Sequence, residues 1–332
     1  MGLQDRRRLR QHRLTAPIVQ TIHQEPGPSE ATTTWGRNPP LQDRGQSRDP
    51  RDSPRDLVPP LPHIELRPEP INNGLRKELS APLPPDEEPQ IFTPRMVRDA
   101  ISKLKLKKAP GADGITNSAL RHLPRPAVAA LTRLFNGIMR TGHFPTIWKG
   151  SLVVMIPKPG KNILKLESYR PISLLPTTSK LFEVLLLRKM HPHLSPRPEQ
   201  FGFRSEHSNT QQLSRVLHLL TGALNKKERV VAAFPDMEKA FDRVWHEGLL
   251  YKCTMTPIPK RIVHVLRSFL ANRTFQVRIE GTLSSARPMM AGVPQGSCLS
   301  PALYSLFTDN IPTSNDAHLH CTPTTRRTYP HL

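Results

Sequence analysis

Apolar positions recur at helical spacing in the stretch FTPRMVRDAISKLKLKK (92–108), where Met96, Ile101 and Leu104 define one side. Thr93 stands where an N-cap belongs and Pro94 suits the first helical position, so a helix with a lysine-rich end is expected. A Pro/Gly turn, APGADGI, separates it from a second predicted helix over 126–140, with Val128, Leu131, Leu134, Phe135 and Ile138 on one side. The run SLVVMIPKPGK then reads as a buried strand, Leu152 to Ile156, closed by a basic turn. Further helices are expected near 177–190, 208–225 and 239–252. TFQVRIEG (274–281) alternates as a strand does, and a second strand near 286–291 would complete a hairpin. Mixed helices and antiparallel strands in this order predict an α+β fold, and no internal repeat is visible.

Residues 1–90 carry none of this periodicity. They hold 16 of the 37 prolines, with 13 basic and 13 acidic side chains. The segment 1–84 is therefore expected to be a disordered Pro/Arg-rich stretch, either a linker or non-native sequence. The charges of 1–90 cancel, so the whole formal net charge of +21 falls on 91–332, the part able to fold. A domain with that charge and a chain pI near 10.6 points to a polyanionic partner. No apolar run approaches the length of a membrane span, and the basic N-terminus lacks the apolar stretch of a secretory signal. Cys253, Cys298 and Cys321 form neither a paired framework nor a C-x-x-C. An intracellular, reduced protein is expected, with nucleus and cytoplasm both open.

Two segments have the makings of chemistry. ERVVAAFPDMEKAFDRVWH (228–246) is an apolar run ending in Asp236, followed by a helical pattern that presents Asp242. A carboxylate at the lip of a sheet can hold a divalent cation, and phosphoryl transfer uses such ions to neutralise charge on the attacking and leaving oxygens. By itself an aspartate closing a strand is more often a turn or cap residue. AGVPQGSCLSP (291–301) adds Gly292 and Gly296, which permit tight backbone, and Gln295, an amide just before a helix expected from about Ser300. Lys158, Lys161 and Arg170 could meet phosphates, although each alone reads more often as a solvated surface charge.

Order and spacing decide more than any single block. KKAPGADGI (107–115), LVVMIPKPGK, ESYRPISLLPTTSKLFE (167–183), EQFGFRSEHSN (199–209), DMEKAFDRVWHEGLLYK (236–252) and AGVPQGSCLSP follow one another along 85–318. In that order they resemble the reverse transcriptase domain of non-LTR, LINE-type retrotransposons, the jockey-like elements in particular. The resemblance implies a right-hand polymerase with fingers and palm, copying an RNA template from a DNA primer with deoxynucleoside triphosphates and two Mg²⁺ ions. Carried onto this chain, it makes Asp236 the catalytic, metal-binding aspartate and the carbonyl of Met237 a second ligand. Phe241 becomes the aromatic that closes the nucleotide pocket against a 2′-hydroxyl, and Gln295 lies beside nucleotide and template. Arg170 and Lys158 become fingers residues near the triphosphate, and Gly202, Phe203 and Arg204 a template-contacting block. Asp242 belongs to the motif without a required metal contact.

The chain departs from that family pattern in places. After Asp309 no aromatic-Ala-Asp-Asp motif appears, nor a thumb; Pro235 precedes Asp236 where a central strand would exclude it; and Cys298 stands where the family commonly has proline. The resemblance therefore implies an RNA-directed DNA polymerase domain truncated before its Asp-Asp motif and inactive in this copy. The alternative is a catalytically dead, basic nucleic-acid-binding protein. The codons of Leu319 to Pro330, with free choice of wobble bases and regrouped from the third base of Leu319, permit Ala-Leu-Tyr-Ala-Asp-Asp-Thr-Ala-Tyr-Leu-Ser. Residues 319–332 are accordingly expected to be out-of-frame translation. Sequencing genomic DNA and transcript across codons 310–332 should reveal Tyr-Ala-Asp-Asp in a shifted frame; a shifted frame without it ends the frameshift interpretation.

Overall fold

The computed structural model describes residues 69–80, 88–204, 206–228, 237 and 239–309. The strand expected to end at Asp236, with Pro235, lies outside the described residues, as do 310–332 and most of 1–84. Within the segment expected to lack order, Glu69–Ser80 forms a helix, α1, and buries Leu75 and Leu79. Two leucines four residues apart form one helical stripe, which suffices for docking despite the surrounding prolines.

The helix predicted after Thr93 is present as α2, Pro94–Ser102. The Thr93 hydroxyl accepts from the Met96 N–H, and proline occupies the first turn. It ends before the lysines, and its buried face is Val97, Ala100 and Ile101, with Met96 and Leu104 at the margin. A short helix α3, Asn117–Arg121, precedes α4, Arg125–Thr141. Val128, Phe135 and Ile138 of α4 are buried, but Leu134 is 47% exposed. Helix α5, Thr177–Met190, and helix α6, Asn209–Asn225, match the expected spans; α6 starts with a capping box formed by Ser208 and Gln211.

The region 239–252 differs from expectation. Residues 239–243 form a turn, in which the Asp242 N–H donates to the Lys239 carbonyl at 2.8 Å, and helix α7 spans only His246–Thr254. Lys239 adopts φ 52°, a left-handed conformation that breaks the helical repeat, so Phe241 and Asp242 lie in a turn and not on a helix. Helices α8, Lys260–Leu270, and α9, Ser300–Thr308, complete the α-helices of the described residues.

The strands form one mixed sheet. β1, Gly150–Pro157, pairs antiparallel with β2, Tyr169–Leu174, setting Leu152 opposite Leu174 and Ile156 opposite Arg170. On its other edge β1 runs parallel to β3, Arg273–Ile279. The expected hairpin has two parts: β4, Thr282–Leu283, makes the tight return, and β5, Arg287–Met289, pairs with the beginning of β3. The α+β class holds, with a parallel pair that a reading of hairpins alone does not foresee.

Helix α5 runs through the core. Leu181, Phe182, Glu183, Leu185, Leu186 and Met190 are fully buried, so the helix is enclosed on most of its faces. Around Phe182 lie Phe92, Phe135, Phe144 and Trp148, with ring centroids 5.4–6.2 Å away, Phe92 and Phe144 edge to face and the other two tilted. Asn136 of α4 clamps the Phe92 backbone, accepting its N–H at 2.7 Å and donating to its carbonyl at 2.9 Å. Removing the Phe182 ring leaves a cavity facing four aromatic partners. Phe182→Ala should cost about 3–5 kcal/mol, read from chemical denaturation.

Candidate functional site

The blocks singled out in the sequence converge on the loop 291–299, and backbone chemistry explains how. The Gly292 N–H donates to the Val244 carbonyl and the Val293 N–H to the Phe241 carbonyl, each at 2.8 Å. The His246 ring nitrogen Nε2 lies 2.7 Å from the Gly292 carbonyl, a third tie, from the first residue of α7. On the other side the Ser173 N–H of β2 donates to the Gln295 carbonyl at 2.8 Å. The loop thus joins the Phe241 turn to the strand that carries Arg170.

Two glycines make these approaches possible. Gly292 has φ 88°, and a Cβ there would lie 2.8 Å from both the Asp242 Cα and carbonyl. Gly296 has φ 140°, and a Cβ there would overlap the Ser173 carbonyl. No other residue satisfies both the conformation and the contact at either position. The loop then passes into α9 through local bonds: the Ser297 N–H donates to the Pro294 carbonyl at 3.1 Å, and the Ser300 hydroxyl donates to the same carbonyl at 2.9 Å.

Beneath the loop lies a buried carboxyl group. Glu183 of α5 is fully buried and accepts from the Ser179 hydroxyl at 2.9 Å, the Ser297 hydroxyl at 2.6 Å and the Cys298 N–H at 2.8 Å. Burial and the neighbouring Glu183 push the Cys298 thiol up to about 12, so at neutral pH it is a protonated filler and not a nucleophile. Glu183 closes the block ESYRPISLLPTTSKLFE, yet nothing in its own position distinguishes it from a solvated helix glutamate. The signal available in the sequence was an acid among the apolar residues of LFEVLLL.

A second group of blocks meets in an aromatic cluster. The Phe241 ring stacks on Tyr304 of α9 at 5.0 Å and meets the edge of Phe203 at 5.6 Å, while Phe203 and Tyr304 are 6.2 Å apart. Phe203 has φ 59°, so the turn carrying Gly202, which is buried, and Arg204 is left-handed at its centre. Arg204 donates to the Arg197 carbonyl at 3.2 Å, and the Met237 sulfur accepts from the Tyr304 hydroxyl at 3.5 Å. Tyr304 escaped the motif reading because it follows the last block at ordinary helical spacing.

The basic residues are less tightly gathered. Arg170 is exposed at the start of β2, three positions and about 10 Å along the strand from the Ser173 tie. The Lys158 ammonium donates to the Glu167 carbonyl at 2.7 Å, within its own hairpin. Asp236 lies outside the described residues, and among the described residues no group of three His, Cys, Asp or Glu side chains is placed to hold a metal ion. A complete Mg²⁺ donor set is therefore absent from the described part.

The glycine geometry has a measurable consequence. Gly296→Ala should destabilise the chain by on the order of 1–3 kcal/mol, whereas Gly137→Ala, in an open helical position of α4, should stabilise it by roughly 0.5–1 kcal/mol; denaturant melts check both.

Comparison with known proteins agrees with the motif order. A family model described as reverse transcriptase (RNA-dependent DNA polymerase) matches residues 156–324. The RNA-directed DNA polymerase from mobile element jockey of Drosophila melanogaster is 42% identical over 250 residues, covering 74% of this chain and 27% of that protein. Its counterpart from Drosophila funebris is 44% identical over 223 residues, covering 66% of this chain and 24% of that protein. The probable RNA-directed DNA polymerase from transposon BS of Drosophila melanogaster is 42% identical over 246 residues, covering 73% of this chain and 26% of that protein. The chain thus spans about a quarter of the length of the curated relatives it matches. With its six blocks in order and half its length within the family model, this chain belongs to the reverse transcriptase family, as a domain of the jockey-like, non-LTR retrotransposon kind.

Proposed function

We propose that residues 85–318 form the fingers and part of the palm of an RNA-directed DNA polymerase, which holds an RNA template, a DNA primer and a deoxynucleoside triphosphate. The observation that carries this reading is the loop 291–299, tied at once to the Phe241 turn and to the Arg170 strand. In this reading Gln295, Phe241 and Arg170 receive the nucleotide as such an enzyme requires: guanidinium toward triphosphate, amide toward base and template, aromatic ring toward the sugar. Phe203 is packed against Phe241, so the block Gly202, Phe203, Arg204 is assigned to the template beside that pocket. Lys158 is the weaker assignment, because its ammonium is already engaged with a backbone carbonyl.

Asp236 and the Met237 carbonyl are the proposed ligands for Mg²⁺, which in this chemistry offsets charge on the transferring phosphate. With one assigned carboxylate, the 332-residue chain alone is expected to bind template and primer with little incorporation. Residues 1–84 and 319–332 are assigned no part in either task. No described helix is long and apolar enough to cross a membrane.

The net charge of +21 favours a second reading, a nucleic-acid-binding protein without catalysis. Primer extension on an RNA template, alongside salt-dependent binding and an Asp236→Ala control, separates the two. Salt-sensitive binding with no incorporation at all, not even a trace that Asp236→Ala abolishes, supports the second reading. Mg²⁺-dependent incorporation that disappears in Asp236→Ala establishes the polymerase and overturns the expected inactivity. Failure to bind an RNA–DNA hybrid even at low salt would sink both.

A further inference from the structure

We propose that Glu183 is the positioning residue that fixes the backbone of residues 294–299 and so aims Gln295 into the nucleotide pocket. The inference rests on the polymerase reading for its nucleotide, but on geometry for its loop. A buried carboxyl group is costly unless its oxygens are satisfied, and cores tolerate an apolar replacement of similar volume more readily than an unpaired acid. Two of the three donors that satisfy Glu183, the Ser297 hydroxyl and the Cys298 N–H, come from the loop, 114 and 115 residues away in sequence. The third, Ser179, is one helical turn back and holds the other carboxyl oxygen.

The loop is consequently gripped on both sides of Gly296. Upstream, the Gln295 carbonyl accepts from Ser173; downstream, Ser297 and Cys298 donate to Glu183. Without the second grip, Gly296, in a conformation other residues avoid, would be held downstream only by the local bonds of Ser297 and Ser300 to the Pro294 carbonyl. Arg273 provides nearby positive charge: it is 1% exposed, donates to the Phe269 carbonyl at 3.0 Å and lies 4.6 Å over that ring. Its own ionisation is depressed to about 10 by burial and supported by Glu183. Glu183 bonds Ser297 and Cys298 and not Gln295 itself, so in this proposal it acts on Gln295 through the intervening backbone.

Two substitutions separate aiming from mere packing. Glu183→Met fills the same space without acceptors. In Glu183→Gln the side-chain carbonyl can still accept from both loop donors while the amide donates to Ser179, so it is the rescue. In the full chain with Mg²⁺, amide hydrogen exchange across 294–299 should rise about tenfold in Glu183→Met and stay within about threefold in Glu183→Gln. Deoxynucleotide affinity should fall in the same order, while RNA–DNA hybrid affinity and exchange in α8 stay unchanged. Identical loop exchange in the two variants overturns the proposal, as does loosening that spreads equally into α8. Should Glu183→Met fail to fold, Ser297→Ala, which deletes one donor, must loosen the loop by itself or the proposal falls. If the wild-type chain binds no deoxynucleotide, the polymerase reading fails, and the exchange comparison still decides the role of Glu183.

Discussion

Helix α5 is enclosed on most of its faces, and two adjacent residues on it divide the work of the structure. Phe182 turns into a ring of aromatic side chains drawn from the segment before α2, from α4 and from the turn before β1. Glu183, one position on and rotated by 100°, turns to the loop 291–299. Core packing therefore fixes the helix, and the helix presents an acid that takes one donor from its own Ser179 and two from a loop more than a hundred residues away.

The energetic asymmetry of that arrangement matters more than the worth of any one bond. Apolar packing around Phe182 is non-directional and tolerates small adjustments, whereas a buried acid demands donors at bonding distance. The glycines at 292 and 296 answer a related demand, since backbone can approach backbone there only without a Cβ. The loop is thereby held by directional contacts to three separate elements: the Phe241 turn, β2 and α5. The aromatic cluster of Phe203, Phe241 and Tyr304 separately ties α9, which the loop enters, to the Phe241 turn.

Much of the fold was legible beforehand. Thr93–Pro94 marked a helix start that the structure reproduces, and the 177–190 and 208–225 expectations agree with α5 and α6 to within a residue or so. The 239–252 expectation failed in its first half because Lys239 takes a left-handed conformation inside an otherwise helical pattern. Leu134 was assigned to a buried face and is exposed, since periodicity gives a face but not its width. The parallel β1–β3 pairing was hidden for another reason: more than a hundred residues separate the strands, and only local hairpins leave a turn signature.

Six ordered blocks, the basic charge of the folding part and the glycines of GVPQGS determined the family and the set of residues worth examining, because those features are local or additive along the chain. Tertiary structure alone decided that Glu183 is buried and what it binds, that Tyr304 backs Phe241, and that Lys158 is engaged within its own hairpin. Each of these depends on which distant groups fill the space around a side chain. An isolated glutamate, tyrosine or lysine carries no record of that, since burial and partnership are properties of the packed chain and not of the residue.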